Sequence, residues 1–200
     1  MTYSVLGIDQ SMTSTGWAHF REGDKKPTWG KYTLPNWADD EGRFLWKWFS
    51  WLGHKVTELQ VTHLYLEHTF NPQDHHENLT EKIAQYGQIG MADCVRHLCA
   101  EKGQPITFEL VTTRQWRVPW LGNEEPPKGL VKQQRRAWLK EKSLAACHAR
   151  GWMVDCDDVA DALGIMTFAI TCLDPRFAVQ QGPLFRRQQS NFEKEERELR

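Results

Sequence analysis

Four acidic residues stand where acids are costly. Asp9 ends the apolar run Ser4–Asp9, and Glu67 ends Val61–Glu67. Asp158 and Asp161 lie three apart among Val159, Ala160, Ala162, Leu163 and Ile165. On a helix that spacing puts both carboxylates on one face, where their charges repel. A charged face beside a buried one is unfavourable unless a cation neutralises it. Hard divalent cations such as Mg²⁺ take carboxylate oxygens and keep waters for a substrate phosphate. Two such ions clamp the attacking and leaving oxygens of a phosphodiester. Each acid also has a plainer explanation. Asp9 suits a turn in "VLGIDQSMTSTGWA", Glu67 suits the start of a loop, and Asp157 and Asp158 suit the positive end of a helix. Two strand-end acids that one sheet can bring together favour the cation. Asp155 and Asp157 are read as residues that begin the last helix.

The elements that must position these acids follow from periodicity and breakers. Ser4–Asp9, Gly16–Arg21 and Thr28–Leu34 read as strands with short links, an antiparallel meander. Phe44, Leu45, Trp48, Trp51, Leu52, Val56 and Leu59 recur at helical spacing, so Arg43–Leu59 is an amphipathic helix. Val61–Glu67 is a strand with Leu64 and Leu66 on one face and Tyr65 and Glu67 on the other. Asn71–Asn78 is a polar loop, and its His75–His76 pair lacks a ligand set around it. Leu79–Lys102 is a long helix, Ile106–Val111 a strand, and Arg114–Pro127 a loop with a short helical piece. Gly129–Arg150 is a basic helix and Asp157–Leu173 the last one. The order βββαβαβαα points to an α/β chain with one mixed sheet covered by helices. Residues 1–178 read as one domain, and 179–200 as a polar, charged tail that extends from it or is disordered.

Two hundred residues, 40% of them hydrophobic, can build a real core. The net charge of −1 is not that of a bulk nucleic-acid binder, but the charge is segregated. Arg114, Arg117, Lys128, Lys132, Arg135, Arg136, Lys140 and Lys142 face only Glu124, Glu125 and Glu141 within their segment, a local excess of five positive charges. Such a run suits phosphate contacts; a solvated helix face is the commoner meaning. Ten tryptophans suit either packing or base stacking. Five scattered cysteines without a CxxC pair read as reduced thiols of a cytoplasmic protein. Met1–Tyr3 leads straight into a strand without a signal peptide, and no apolar run is long enough to span a membrane.

Three stretches in order, "VLGIDQSMTSTGWA", "LYLEHTF" and "DDVADALGIM", resemble the acidic motifs of RuvC-type Holliday-junction resolvases. The resemblance spans about Ser4 to Leu173. It implies a ribonuclease H-like fold with a five-stranded sheet ordered 3-2-1-4-5 and flanked by helices. It implies that Asp9, Glu67, Asp158 and Asp161 hold two Mg²⁺ or Mn²⁺ ions, with Asp9 bridging them. One ion activates water, the other stabilises the leaving 3′-oxygen, and products carry 5′-phosphate and 3′-hydroxyl ends. It implies that Phe70, three residues after Glu67, pushes against bases at the crossover. Arg117 in "TTRQWRVPWLG" falls where the family has a basic residue at the scissile region, and Arg supplies charge but no transferable proton. The resemblance places a second active-site lysine at Lys142 in "KEKSLAACHARGW", with Lys128 as the alternative, because "NEEPPKGLVKQQRRAW" looks like an insertion. In the family the helix carrying Gly87 and Gly90 builds a two-fold dimer; close packing within one chain is the other reading of those glycines.

The expected activity is therefore a homodimeric, metal-dependent endonuclease that cuts four-way junctions, with three-way junctions and flaps as further branched DNA substrates. Paired nicks need two sites, which a C₂ dimer supplies. The insertion fits a phage-encoded member. Two other classes compete. An actin or sugar-kinase-like ATPase also opens on a strand, an acid and a Thr-Gly pair, but needs a duplicated domain that this chain lacks. A non-catalytic junction-binding module gains nothing from acids facing DNA. The small polar residues after Asp9 are expected to turn the chain and leave room for a phosphate.

Overall fold

A computed structural model describes residues 2–68, 79–122, 126–174 and 176–177. Strands β1 (Ser4–Gln10), β2 (Ser14–Arg21) and β3 (Thr28–Thr33) form the antiparallel meander. After α1 (Glu41–Glu58), β4 (His63–His68) pairs parallel with β1; after α2 (Leu79–Glu101), β5 (Thr107–Thr112) pairs parallel with β4. Helices α3 (Thr113–Leu121), α4 (Lys132–His148) and α5 (Asp157–Leu173) complete the chain. The mixed sheet has the expected order, β3-β2-β1-β4-β5.

The two-residue period of a strand divides the core. Leu6, Ile8, Leu64 and Leu66 face α1 and α2 with Phe44, Trp48 and Leu52. Val5, Ala18, Tyr65 and Val111 face the other way, against α3, α4 and α5. Asp9 continues the parity of Val5 and Glu67 that of Tyr65, so both acids fall on the α5 face. They also lie at the carboxyl ends of adjacent parallel strands, since Ile8 pairs with Leu66.

Two glycines let α5 settle directly on the sheet. A Cβ on Gly7 would stand 2.6 Å from the Met166 amide, and one on Gly16 would overlap the Asp158 carbonyl. Gly16 is the cross-strand partner of Asp9. The Thr-Gly pair is therefore an α5 seat, and Thr15, fully buried on the opposite face, accepts a hydrogen bond from Trp48 Nε1 at 3.2 Å. Close packing at Gly16 thus fixes α5 against β2 beside Asp9.

Two element boundaries are set by the structure. The short helical piece expected within Arg114–Pro127 is the nine-residue helix α3, which runs to Leu121 and is begun by a capping box between Thr112 and Gln115. Its Pro119 removes one donor near the end of a short helix, while Trp116 and Trp120 bury on either side of it. The basic helix begins at Lys132 rather than Gly129, whose φ of +92° belongs to a turn. Lys128 therefore lies outside α4. No helix among the described residues is long and apolar enough to cross a membrane, and all five cysteines are free thiols.

Candidate active site

Asp9, Glu67, Asp158 and Asp161 meet where β1, β4 and the first turns of α5 converge. Asp9 is pushed well above the usual carboxylate range by burial first, then by the charges of Glu67 and Asp161, a hydrogen bond with Glu67, and the charge of Asp158. All three other acids thus act on Asp9 directly. Asp161 is pushed up to about 6 by burial, against the pull of Arg117 and Ser143. A site that raises its own carboxyl groups is short of positive charge.

Glu67, Asp158 and Asp161 each have their own holder. Glu67 is 5% exposed, and its Oε1 accepts from Thr113 Oγ1 at 2.6 Å and from Trp116 Nε1 at 2.9 Å. Its backbone carbonyl accepts from Gln10 Nε2 at 2.6 Å, which ties β1 to β4 beside the acids. Asp161 accepts from Ser143 Oγ at 2.6 Å on Oδ1 and from Arg117 at 3.1 Å on Oδ2. Asp158 Oδ2 accepts from Ser14 Oγ and pairs with Lys31 Nζ at 3.1 Å. Asp157, the first residue of α5, pairs with Lys140.

The basic residues divide into two groups. Arg117 and Lys140 turn toward the acids of α5. Lys140 also feels Asp158 and Asp161, which with Asp157 raise its pKa. Lys142, two residues on, has its Nζ 5.2 Å from the Trp138 ring centre. The geometry thus brings Lys140, expected among the DNA contacts, to the carboxylates of α5. Arg114, Lys128, Lys132, Arg135 and Arg136 are exposed. Phe70, the His75–His76 loop and the tail from 179 lie outside the described residues.

Among the described residues, the three metal-type donors whose ligand atoms lie within 4.8 Å of one another are Cys156, Asp157 and Asp158. Lys31 reaches both Cys156 Sγ and Asp158, and Lys140 holds Asp157, so ammonium groups already balance this trio. The four predicted acids are more widely spread. Their donors are all carboxylate oxygens, and burial followed by the charges of the other three raises Asp9, so they fit a hard divalent cation better than the thiol-containing rim does.

The structure adds Thr113, Trp116, Ser143, Ser14 and Lys31 to the predicted residues. The first two carry a signal in the sequence, since Thr113, Trp116, Arg117 and Trp120 follow the i, i+3, i+4, i+7 spacing of one helical face. Lys31 carries none, because only the pairing of β3 with β2 brings it beside α5.

No protein-family model matches the chain, and no curated protein matches it in sequence. Solved structures do match in shape. Thermus thermophilus RuvC in complex with a Holliday junction substrate superposes with a TM-score of 0.59 at 13% identity, covering 85% of this chain and 95% of that one. Another T. thermophilus RuvC structure gives 0.58 at 14% identity over the same shares. The yeast mitochondrial Holliday junction resolvase gives 0.52 at 12% identity, covering 88% of this chain and 81% of that one. At such identities the likeness is one of fold, and it agrees with the mixed sheet and its strand order.

Proposed function

We propose that this protein is a metal-dependent, structure-selective endonuclease that resolves four-way DNA junctions by paired symmetric nicks. Such an activity serves DNA recombination or repair, or the debranching of phage DNA in an infected cell. The observation that carries the reading is the convergence of Asp9, Glu67, Asp158 and Asp161 at one end of a resolvase-like sheet, the last three each held by an identified donor. A bound pair of Mg²⁺ or Mn²⁺ ions would supply an activated water and stabilise the leaving 3′-oxygen, giving 5′-phosphate and 3′-hydroxyl ends.

The chain's own residues do the positioning. Asp9 and Glu67 present oxygens from neighbouring strand ends, and Asp158 and Asp161 present theirs from α5. Arg117, Lys140 and Lys31 lie next to the acids of α5 and are the cations offered to a scissile phosphate. Exposed Arg114, Lys128, Lys132, Arg135 and Arg136 offer phosphate contacts farther out. Phe70, three residues beyond Glu67, is assigned to the junction bases.

Paired nicking needs two copies of the site, and α2 offers a face for pairing. Leu79, Ile83 and Tyr86 are 70%, 51% and 48% exposed along it. The two glycines separate here. A Cβ on Gly87 would stand 2.7 Å from Leu45 of α1, so Gly87 serves packing within the chain, while Gly90 opens onto free space. A homodimer joined through this face puts apolar surface out of water. Ile83→Glu should give a monomer in analytical ultracentrifugation and uncouple the two nicks.

The deciding experiment is cleavage of four-way, three-way and linear duplex DNA with and without Mg²⁺. The reading expects nicking of branched substrates only, and only with metal. Turnover of ATP without DNA would instead favour the ATPase class.

A further inference from the structure

We infer that α3 is the positioning element of the carboxylate site, with Trp116 as its key residue: its indole N–H fixes Glu67 for a divalent cation without neutralising it. The inference rests on the metal-site reading above and adds residues to it.

The four residues on one face of α3 all act on the acids. Thr113 and Trp116 donate to the same oxygen of Glu67, Oε1, so neither occupies Oε2. Arg117 reaches Asp161. Trp120 donates from Nε1 to Ser143 Oγ at 3.2 Å, and Ser143 donates onward to Asp161. Trp116 is fully buried and Ser143 is 1% exposed, so water does not replace these bonds.

The chemistry of the donors matters. A buried carboxylate can be held by a cation or by neutral N–H and O–H groups. Neutral donors orient it and leave its charge for another partner. Glu67 has two neutral donors, and its close neighbour Asp9 is another carboxyl group, not a cation. That is the hydrogen-bonding shell expected behind a metal ligand.

The packing around the two indoles is specific. Gly164 lies one turn after Asp161 on α5, and a Cβ there would stand 2.7 Å from Trp116 Cζ3 and 2.9 Å from Trp120 Cδ1. Only glycine lets both rings pass between α3 and α5 to reach the acids. The outer ends are fixed as well. The Arg117 guanidinium lies 4.8 Å from the Trp116 ring centre, Arg150 lies 4.0 Å from that of Trp120, and Trp152 stacks on Trp120 at 6.1 Å. The capping box at Thr112 and Gln115 starts α3 where β5 ends, and Thr112 is the register partner of His68, next to Glu67.

The test is Trp116→Phe, which keeps an aromatic ring and deletes the N–H. Mn²⁺ binding to the full chain is followed by electron paramagnetic resonance, and nicking of a four-way junction is titrated with Mg²⁺. The expected result is Mn²⁺ affinity weakened about 10- to 100-fold, with the Mg²⁺ midpoint shifted by a similar factor and the rate at saturating Mg²⁺ changed much less. Combining it with Glu67→Gln should weaken Mn²⁺ binding no further than Glu67→Gln alone. Unchanged Mn²⁺ affinity in a folded Trp116→Phe protein overturns the positioning role and leaves the nuclease reading standing. Failure of the wild-type chain to bind Mn²⁺ at all overturns the metal site itself. If circular dichroism shows that Trp116→Phe does not fold, Thr113→Val removes the other donor to Glu67 Oε1 and decides by the same two measurements.

Discussion

The two halves of the carboxylate cluster are held in different ways. On the α3 side, Glu67 is held by a threonine and a tryptophan, and Asp161 by a buried serine and one arginine. On the β3 side, Asp158 and Asp157 face Lys31 and Lys140, both exposed. The inner half holds the acids that burial pushes up, Asp9 and Asp161, with the charges of neighbouring acids adding to the shift. The outer half is balanced by exposed ammonium groups that solvent screens. A site built for a cation needs the first kind of holder at its centre and tolerates the second at its rim.

The sharpest way to break this contrast is to remove inner charge. Asp9→Asn, Glu67→Gln and Asp161→Asn should each abolish nicking in Mg²⁺ while gel-shift affinity for a four-way junction stays largely intact. Normal nicking by all three would sink the site assignment. Next in size is Gly16→Ala. Its Cβ would overlap the Asp158 carbonyl, so α5 must lift from the sheet and carry both of its acids out of place. Overpacking of this kind costs about 1–3 kcal/mol; a lowered melting temperature and lost nicking should appear together. Gly90→Ala, facing open space, is the matched control for folding.

A pH experiment separates the halves again. Asp161 binds its proton more tightly in the folded chain than its ordinary value of 3.8 allows, with a folded value of about 6, and Asp9 is shifted the same way. The contribution of Asp161 to stability is therefore full below pH 3.8 and is lost as pH rises through about 6, and that of Asp9 is lost in the same direction, as pH rises. With chelator present, Asp9→Asn should melt higher than the wild type at pH 7.5, and the difference should vanish near pH 4. An equal difference at both pH values would show that Asp9 is not under electrostatic strain. The smallest effects belong to the rim. Lys31→Ala and Lys140→Ala should change stability by less than about 1 kcal/mol, and any loss of nicking should shrink as Mg²⁺ is raised. Loss as deep as that of Asp9→Asn would move these lysines into the centre of the site.

Much of this arrangement is legible in the residue pattern alone. The strand parity that sets Asp9 and Glu67 on one face is a property of alternating residues, visible in the Leu64, Tyr65, Leu66, Glu67 pattern. The last helix has the bounds that its pattern predicts, Asp157–Leu173, because its apolar residues and the following Asp-Pro frame it. The basic segment is less legible. Its charges suggest one phosphate-binding face, but Gly129 breaks the helix, and Arg117 and Lys140 turn inward to Asp161 and Asp157.

The sequence by itself determined which residues carry charge, which strands and helices form, and on which face of its element each acid lies. These follow from local periods of two and 3.6 residues. Only the tertiary structure decided what touches the acids. That Trp116 reaches Glu67, that Ser143 relays Trp120 to Asp161, and that Lys31 finds Asp158 depends on how three helices seat against one sheet. Hydrogen bonds are lost over shifts of about half an ångström, and contacts that fine are set by long-range packing, including the missing side chains of Gly7, Gly16 and Gly164.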